Sequence, residues 1–225
     1  MVTVALPVNT MKRVTSNSKV WRLVMTRDDF IMKIHDYAGV KEGSTTHQEI
    51  VKIYNTITPL PRGYKASITD PWCAIFVSAM WKKHMGNDNF PFECSCTRMI
   101  NLLKSKNHFY LGKGLKEPEV GWLIFYDWER DGSPDHVGYV VGTDGYITTV
   151  EGNRNDCVQA CTIAPESTTI YGYGVLKYDD SEVEDAKSFV TRNGIMLGDG
   201  TDTYWKNTPT REQLATILYR YHMKT

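Results

Sequence analysis

The sequence predicts an α+β protein, and two observations carry that prediction. Segments with helical periodicity occupy the first half of the chain, whereas from Gly121 onward short runs rich in β-branched and aromatic residues are cut by Gly and Asp. Helices first and an antiparallel sheet later is the order of an α+β domain, not of alternating β–α–β units. With 225 residues and 41% hydrophobic content, the chain can build one well-packed core and a smaller second unit.

Taken in order, Thr26 is placed to cap a helix over about 27–38, in which Phe30, Ile31, Ile34 and Ala38 recur at helical spacing. Residues 39–46 read as a loop and 47–55 as a second helix with Ile50, Val51 and Tyr54 on one face. Pro59, Pro61 and Gly63 mark a long connection. A third helix is expected over about 71–85, with Asp70 as its cap and Pro71 at its first position, where no backbone donor is needed. Its Ala74, Ile75, Phe76, Val77, Ala79, Met80 and Trp81 are apolar on nearly all sides, which predicts burial. A fourth helix follows over about 96–106, with Met99, Ile100, Leu102 and Leu103. Strands are expected at 121–128, 136–142, 146–151 and 171–178, with Thr143-Asp144-Gly145 turning between the second and third.

A boundary falls near 179–181. Beyond it lies a small helix–loop–helix unit: Val183, Ala186, Phe189 and Val190, then Gly194, Gly198 and Gly200, then a last helix opened by Pro209-Thr210. Phe189, Ile195, Leu214, Ile217, Leu218 and Tyr221 are expected to face inward. Residues 1–24 read as an extension with no part in the chemistry, because Met25 offers a second start. The expected organisation is therefore 1–24, 25–179 and 180–225.

Lys+Arg and Asp+Glu both number 26, so charge gives no reason to expect nucleic acid or an anionic membrane as partner. Five cysteines without a framework spacing fit a chain folded in a reducing cytosol better than a disulfide-stapled secreted module. No apolar run reaches the roughly 20 residues that span a bilayer. The first 25 residues, broken by Asn9, Thr10 and Ser16-Asn17-Ser18, lack the apolar core of a signal peptide.

The chemistry gathers around Cys73. In the first turn of a helix it would sit among unpaired N–H groups at the positive end of the dipole, which favour thiolate over thiol. His136 opens a strand, and Glu151 ends the next one across a hairpin. Asn153 follows and points the same way if that strand continues. Gly138, on the histidine's face, leaves room beside it for a substrate or another backbone. Thiol, imidazole and carboxylate or amide make a nucleophile–base–orienter set. On the residues alone, a buried core cysteine, a turn histidine and a solvated strand-end glutamate remain the alternative.

Asp127, Glu129 and Asp131 place oxygen ligands at alternate positions before Gly132, which is how a calcium loop begins. The bidentate glutamate of such a loop is replaced by Gly138, so an acidic β-turn held by Asp side chains is preferred, with calcium as the alternative. Cys94, Cys96, Cys157 and Cys161 lack zinc-knuckle spacing and read as buried or idle thiols.

The runs Asp70-Pro71-Trp72-Cys73-Ala74-Ile75-Phe76-Val77, Val120 to Asp127, Asp135-His136-Val137-Gly138 and Val150-Glu151-Gly152-Asn153 resemble the CHAP amidase/peptidase domain, most closely the versions in phage endolysins that attack Gram-positive peptidoglycan. The resemblance covers about 27–178. It implies a papain-like fold, a nucleophile at Cys73, a base at His136, and Glu151 and Asn153 supporting the imidazole, with no cofactor required. It also implies cleavage of the N-acetylmuramoyl–L-alanine amide or of a stem or cross-bridge peptide bond. Trp72 stands where many relatives carry a small or polar residue, and is expected to shape the cleft floor or to pack. Residues 181–222 are similar to one S-layer homology module, which implies a wall polysaccharide as partner and Arg211 as a contact for an acidic sugar. A single copy of so small a unit points equally to a packing or dimerising appendage, hence a homo-oligomer. A chain of this kind would be made in the host cytoplasm and act on the wall after release. A bacterial autolysin and a non-catalytic wall-binding protein are the rival readings.

Overall fold

A computed structural model describes residues 10–13, 21–86, 89–112, 117–178 and 211–222. They divide into two units, Arg27–Tyr178 and a second that joins 10–26 to 211–222.

In the larger unit the helices come first: α1 (Arg27–His35), α2 (Thr45–Tyr54), a 3-10 turn at Pro61–Gly63, α3 (Cys73–His84) and α4 (Cys96–Ser105). α2 starts at Thr45 because Ser44 accepts the His47 N–H on its side chain. α3 is buried along its first nine residues, as its all-round apolar sequence predicts.

Six strands follow in the numbering of the whole chain: β3 (Phe109–Leu111), β4 (Leu123–Tyr126), β5 (His136–Gly142), β6 (Ile147–Glu151), β7 (Gln159–Ile163) and β8 (Ile170–Gly174). They form one antiparallel sheet in the order β3-β8-β4-β5-β6-β7. This is the α+β arrangement that the element order predicts. β3 and β7 were not expected. β3 is only three residues long, and β7 is exposed or half-buried at every position, so neither has a strong apolar signal.

The two faces of the sheet do different work. Val137 and Tyr139 lie on the helical side, where the Tyr139 hydroxyl donates to the carbonyl of Val77 at 2.7 Å and its ring meets Phe30 edge-on. The alternate residues Trp122, Ile124, Tyr126, Val140 and Ile147 form a second cluster with Ile170 and Tyr173. Close approach of α3 to the end of β6 depends on Gly152: a Cβ there would overlap Phe76 of α3.

In the second unit, β1 (Thr10–Arg13) and β2 (Trp21–Val24) pair antiparallel, Thr10 opposite Val24. The extension expected over 1–24 thus contributes an antiparallel strand pair to this unit. The last helix, α5 (Arg211–His222), begins where Pro209-Thr210 predicts. Leu214 and Leu218 are 49% and 60% exposed and Ile217 is half-buried, so the expected inward stripe is not covered. A unit of this size has little apolar surface with which to cover it. The expected helix over 183–190, the loop at 194–200, Phe189, Ile195 and the side chains of Arg211 and Tyr221 lie outside the described residues.

Candidate active site

α3 begins at Cys73, two residues later than expected. Trp72 precedes it as the flanking residue, with no side-chain cap. Asp70 does not cap this helix. Its carboxylate accepts from the N–H of Ser67 at 2.7 Å and the hydroxyl of Tyr64 at 2.8 Å, tightening the preceding turn. Pro71 accordingly lies before the helix. The consequence is that Cys73 itself opens α3, with helix-start N–H groups not taken up by a side-chain cap.

His136 is the first residue of β5 and lies opposite Tyr126 of β4. On the other side, Tyr139 faces Val150 and Val140 faces Thr149. The same register carries Gly138 to Glu151, so Glu151 is diagonal to His136 on one face of the sheet. Glycine at 138 makes that diagonal reachable. A Cβ there would stand 2.6 Å from Glu151 Cγ. The space beside the histidine is therefore filled by the glutamate side chain, not kept for substrate or backbone.

The glutamate is buried to 1% exposure, and its oxygens are divided. Oε1 accepts from the hydroxyls of Tyr126 at 2.6 Å and Thr149 at 2.7 Å. Oε2 faces His136 Nε2 at 3.2 Å. Burial pushes its pKa up, but the His136 ring beside it and the hydrogen bonds from Thr149 and Tyr126 outweigh this and hold it below the ordinary value. The Cys73 thiol acts on the same imidazole electrostatically. Burial lowers the His136 pKa, whereas bonding to Cys73 and Glu151 raises it; the result is about 9.

The Cys73 thiol is pulled well below its ordinary value. The largest cause is a hydrogen bond from Cys96, whose sulfur lies 3.8 Å away; burial opposes this, and His136 and the Ala74 N–H add to it. Cys96 is pushed well above its ordinary value by the same contact. The site is thus arranged as a thiolate beside an imidazolium held by a carboxylate. Trp128 stacks on the imidazole at 4.9 Å, and the Arg154 guanidinium lies 4.4 Å from the centre of that indole.

The structure thus brings Cys73, His136 and Glu151 together. Asn153 does not extend β6. The strand ends at Glu151, and Asn153 takes a left-handed backbone conformation with φ 60°. Trp72 is fully buried; its Nε1 donates to Glu42 at 3.0 Å and its ring packs on His47, so it packs and forms no cleft floor. Of the acidic turn, Asp127 accepts the N–H groups of Asp131 and Gly132, and Asp135 accepts that of Trp128. Among the described residues, no group of three or more His, Cys, Asp or Glu is arranged to hold a metal ion.

Tyr126, Thr149, Cys96 and Trp128 are functional neighbours that sequence reasoning missed. For Thr149 a signal existed, since it lies two residues before Glu151 and shares its strand face. For Tyr126 and Cys96 the proximity depends on strand register and helix placement, which no local pattern shows.

These features place a thiol, an imidazole and a carboxylate together on an α+β scaffold. The family model of the CHAP domain matches residues 64–153, a span that holds Cys73, His136, Glu151 and Asn153. That match supports a peptidoglycan hydrolase of the amidase or peptidase kind. No curated protein and no solved structure matches the chain. No helix among the described residues is long and apolar enough to cross a membrane.

Proposed function

We propose that the chain is a phage endolysin that hydrolyses the peptidoglycan of a Gram-positive host, as an N-acetylmuramoyl-L-alanine amidase or a stem or cross-bridge endopeptidase. The observation that carries the reading is the buried Cys73–His136–Glu151 line at the start of α3; the papain-like fold belongs to the same proposal.

The Cys73 thiolate attacks the scissile carbonyl carbon. The oxyanion that forms lies at the helix start, where the N–H groups of α3 can receive it. The His136 imidazolium gives its proton to the leaving amine, the C–N bond breaks, and a thioester remains on Cys73. Neutral His136 then takes a proton from water as the water attacks the thioester; the C–S bond breaks, the acid product leaves, and the thiolate–imidazolium pair is restored. Glu151, fixed by Tyr126 and Thr149, holds the ring through Nε2 and stabilises its charged form. The reaction needs no cofactor; calcium at the Asp127 turn would act only on the loop before His136.

The second unit is proposed to bind a wall polysaccharide through Arg211 or to pair two copies, and the exposed Leu214 and Leu218 support an outside partner for α5. Synthesis in the host cytoplasm and action on the wall after release complete the reading. An autolysin would use the same residues, and a wall-binding protein without turnover would keep the fold alone. The test is clearance of Gram-positive cell suspensions by the wild type and by Cys73→Ser, followed by mass spectrometry of the released fragments. Loss of clearance in the variant and a single class of new amine terminus are expected; clearance that survives the substitution would refute the nucleophile. Activity confined to the producing bacterium's own wall would favour the autolysin.

A further inference from the structure

Two helices open on cysteine. Cys73 is the first residue of α3 and Cys96 the first of α4, and their sulfurs are in contact at 3.8 Å. Both are buried, at 7% and 8% exposure, and both are free thiols. Of the other three thiols, Cys94 accepts from Arg62 at 2.9 Å, Cys157 donates to the carbonyl of Arg154, and Cys161 lies on the edge strand β7. The pair is also unequal, because the His136 imidazole acts on Cys73 and not on Cys96. Cys73 is thus the member that reacts with an electrophile, and Cys96 the one that waits beside it. The proposed hydrolysis does not use Cys96 chemically.

We propose that Cys73 and Cys96 form a reversible disulfide when the protein meets a hydroperoxide, with Cys73 as the attacking and Cys96 as the resolving thiol. The Cys73 thiolate attacks one peroxide oxygen; the O–O bond breaks, and hydroxide leaves, taking up a proton as water. Cys73 is now a sulfenic acid. The Cys96 sulfur attacks the Cys73 sulfur, the S–O bond breaks, and the oxygen departs with the Cys96 proton as a second water. Two thiols are oxidised by two electrons in all, and one peroxide is reduced to two waters. The sulfurs need to approach by under about 2 Å to bond. Because the partner is already in contact, the second step is intramolecular and outruns attack by another peroxide. The disulfide masks the nucleophile without destroying it, and a dithiol restores both thiols.

The test uses the full reduced chain, treated with hydrogen peroxide, alkylated at its remaining thiols and cut with trypsin. Residues 66–82 carry Cys73, and 84–98 carry Cys94 and Cys96. The expected product is a cross-linked pair of these peptides, with fragmentation placing the bond on Cys96, and the same product in Cys94→Ser. In parallel, wild type should regain most of its wall-lysing activity on dithiothreitol. Cys96→Ser, measured against its own untreated rate, should regain less than about a tenth, as Cys73 proceeds to sulfinic acid. Sulfinic acid on Cys73 with Cys96 alkylated, a bond on Cys94, or full recovery of Cys96→Ser would overturn the proposal. The peptide map of the wild type decides the matter even if Cys96→Ser does not fold. It also decides if the protein proves to be no hydrolase, so the two failures are distinguishable.

Discussion

Replacing Gly138 by alanine tests whether the site is set by the position of Glu151. Gly138 is not among the glycines with positive φ, so alanine meets no backbone strain there. What it meets is Glu151 Cγ at 2.6 Å and the Val150 carbonyl at 3.1 Å. The first is roughly 0.8 Å short of the 3.4 Å at which ordinary contact begins, so the glutamate stem must retreat by about that much. Its carboxylate is held at 2.6 and 2.7 Å by Tyr126 and Thr149, and at 3.2 Å by His136, so it cannot follow the stem and keep all three. A misplacement approaching 1 Å in catalytic geometry costs about 100-fold in rate. Overpacking costs about 1–3 kcal/mol of stability, part of which is offset by removing a flexible glycine from a strand. The assay is kcat/KM on purified wall, read beside a thermal unfolding curve. The expected result is a folded protein with activity down about 100-fold. A folded Gly138→Ala enzyme within about twofold of wild type would refute the claim that Glu151 must reach across this gap.

Four further outcomes follow from the same geometry. Tyr126→Phe removes one of two donors to a buried carboxylate; it should cost about 1.5–3 kcal/mol in chemical unfolding and raise the Glu151 pKa, moving the acid limb of the activity profile upward. Cys73→Ala should abolish lysis and, because the thiolate no longer opposes burial, lower the His136 pKa from about 9, which an NMR titration reads directly; an unchanged value would mean that Cys73 does not contact the ring. In the wild type, His136 is raised above its ordinary 6.5, so its contribution to stability is complete below that pH and is lost as pH rises through about 9, where the imidazolium and kcat/KM should decline together. Deleting residues from Ser181 onward should leave hydrolysis of a small soluble muropeptide intact while weakening binding to whole cells, and Arg211→Ala should weaken that binding without changing the elution volume; if neither change affects binding or size, the second unit is neither a wall anchor nor a dimeriser.

Much of the fold was legible because periodicity is local. The apolar run from Ala74 to Trp81 could only be a buried helix, and His136 to Gly142 could only be a strand, so α3 and β5 fall where their patterns place them. The helix start was misread for a local reason too. Asp-Pro is a good cap and first-turn pair, but Asp70 is committed to the Ser67 and Tyr64 donors, a competition visible only once the loop is folded. The same limit applies to β3 and β7, which are held by their neighbours in the sheet more than by their own composition. Of the site, the residue types and the shared strand face were readable, whereas the pairing of Gly138 with Glu151 needed the register.

That register also explains why a charged carboxylate can be kept at the bottom of the site. An ionised glutamate at 1% exposure is costly unless its lone pairs are met. Here one oxygen takes two hydroxyl donors and the other faces an imidazole that carries charge up to about pH 9. The hydroxyls come from Tyr126, opposite His136 on β4, and Thr149, on the glutamate's own strand face. Neither donor is ionised at neutral pH, so they fix the carboxylate without competing with the imidazolium for its charge. Arg154 Nε also lies 3.9 Å from Oε2, farther than the imidazole, so substituting either hydroxyl donor with a cationic side chain would add a further positive charge and weaken the hold of Glu151 on His136. The choice of neutral donors on two strands and one titratable donor between them is therefore what directs the buried negative charge toward the histidine, and through it toward Cys73.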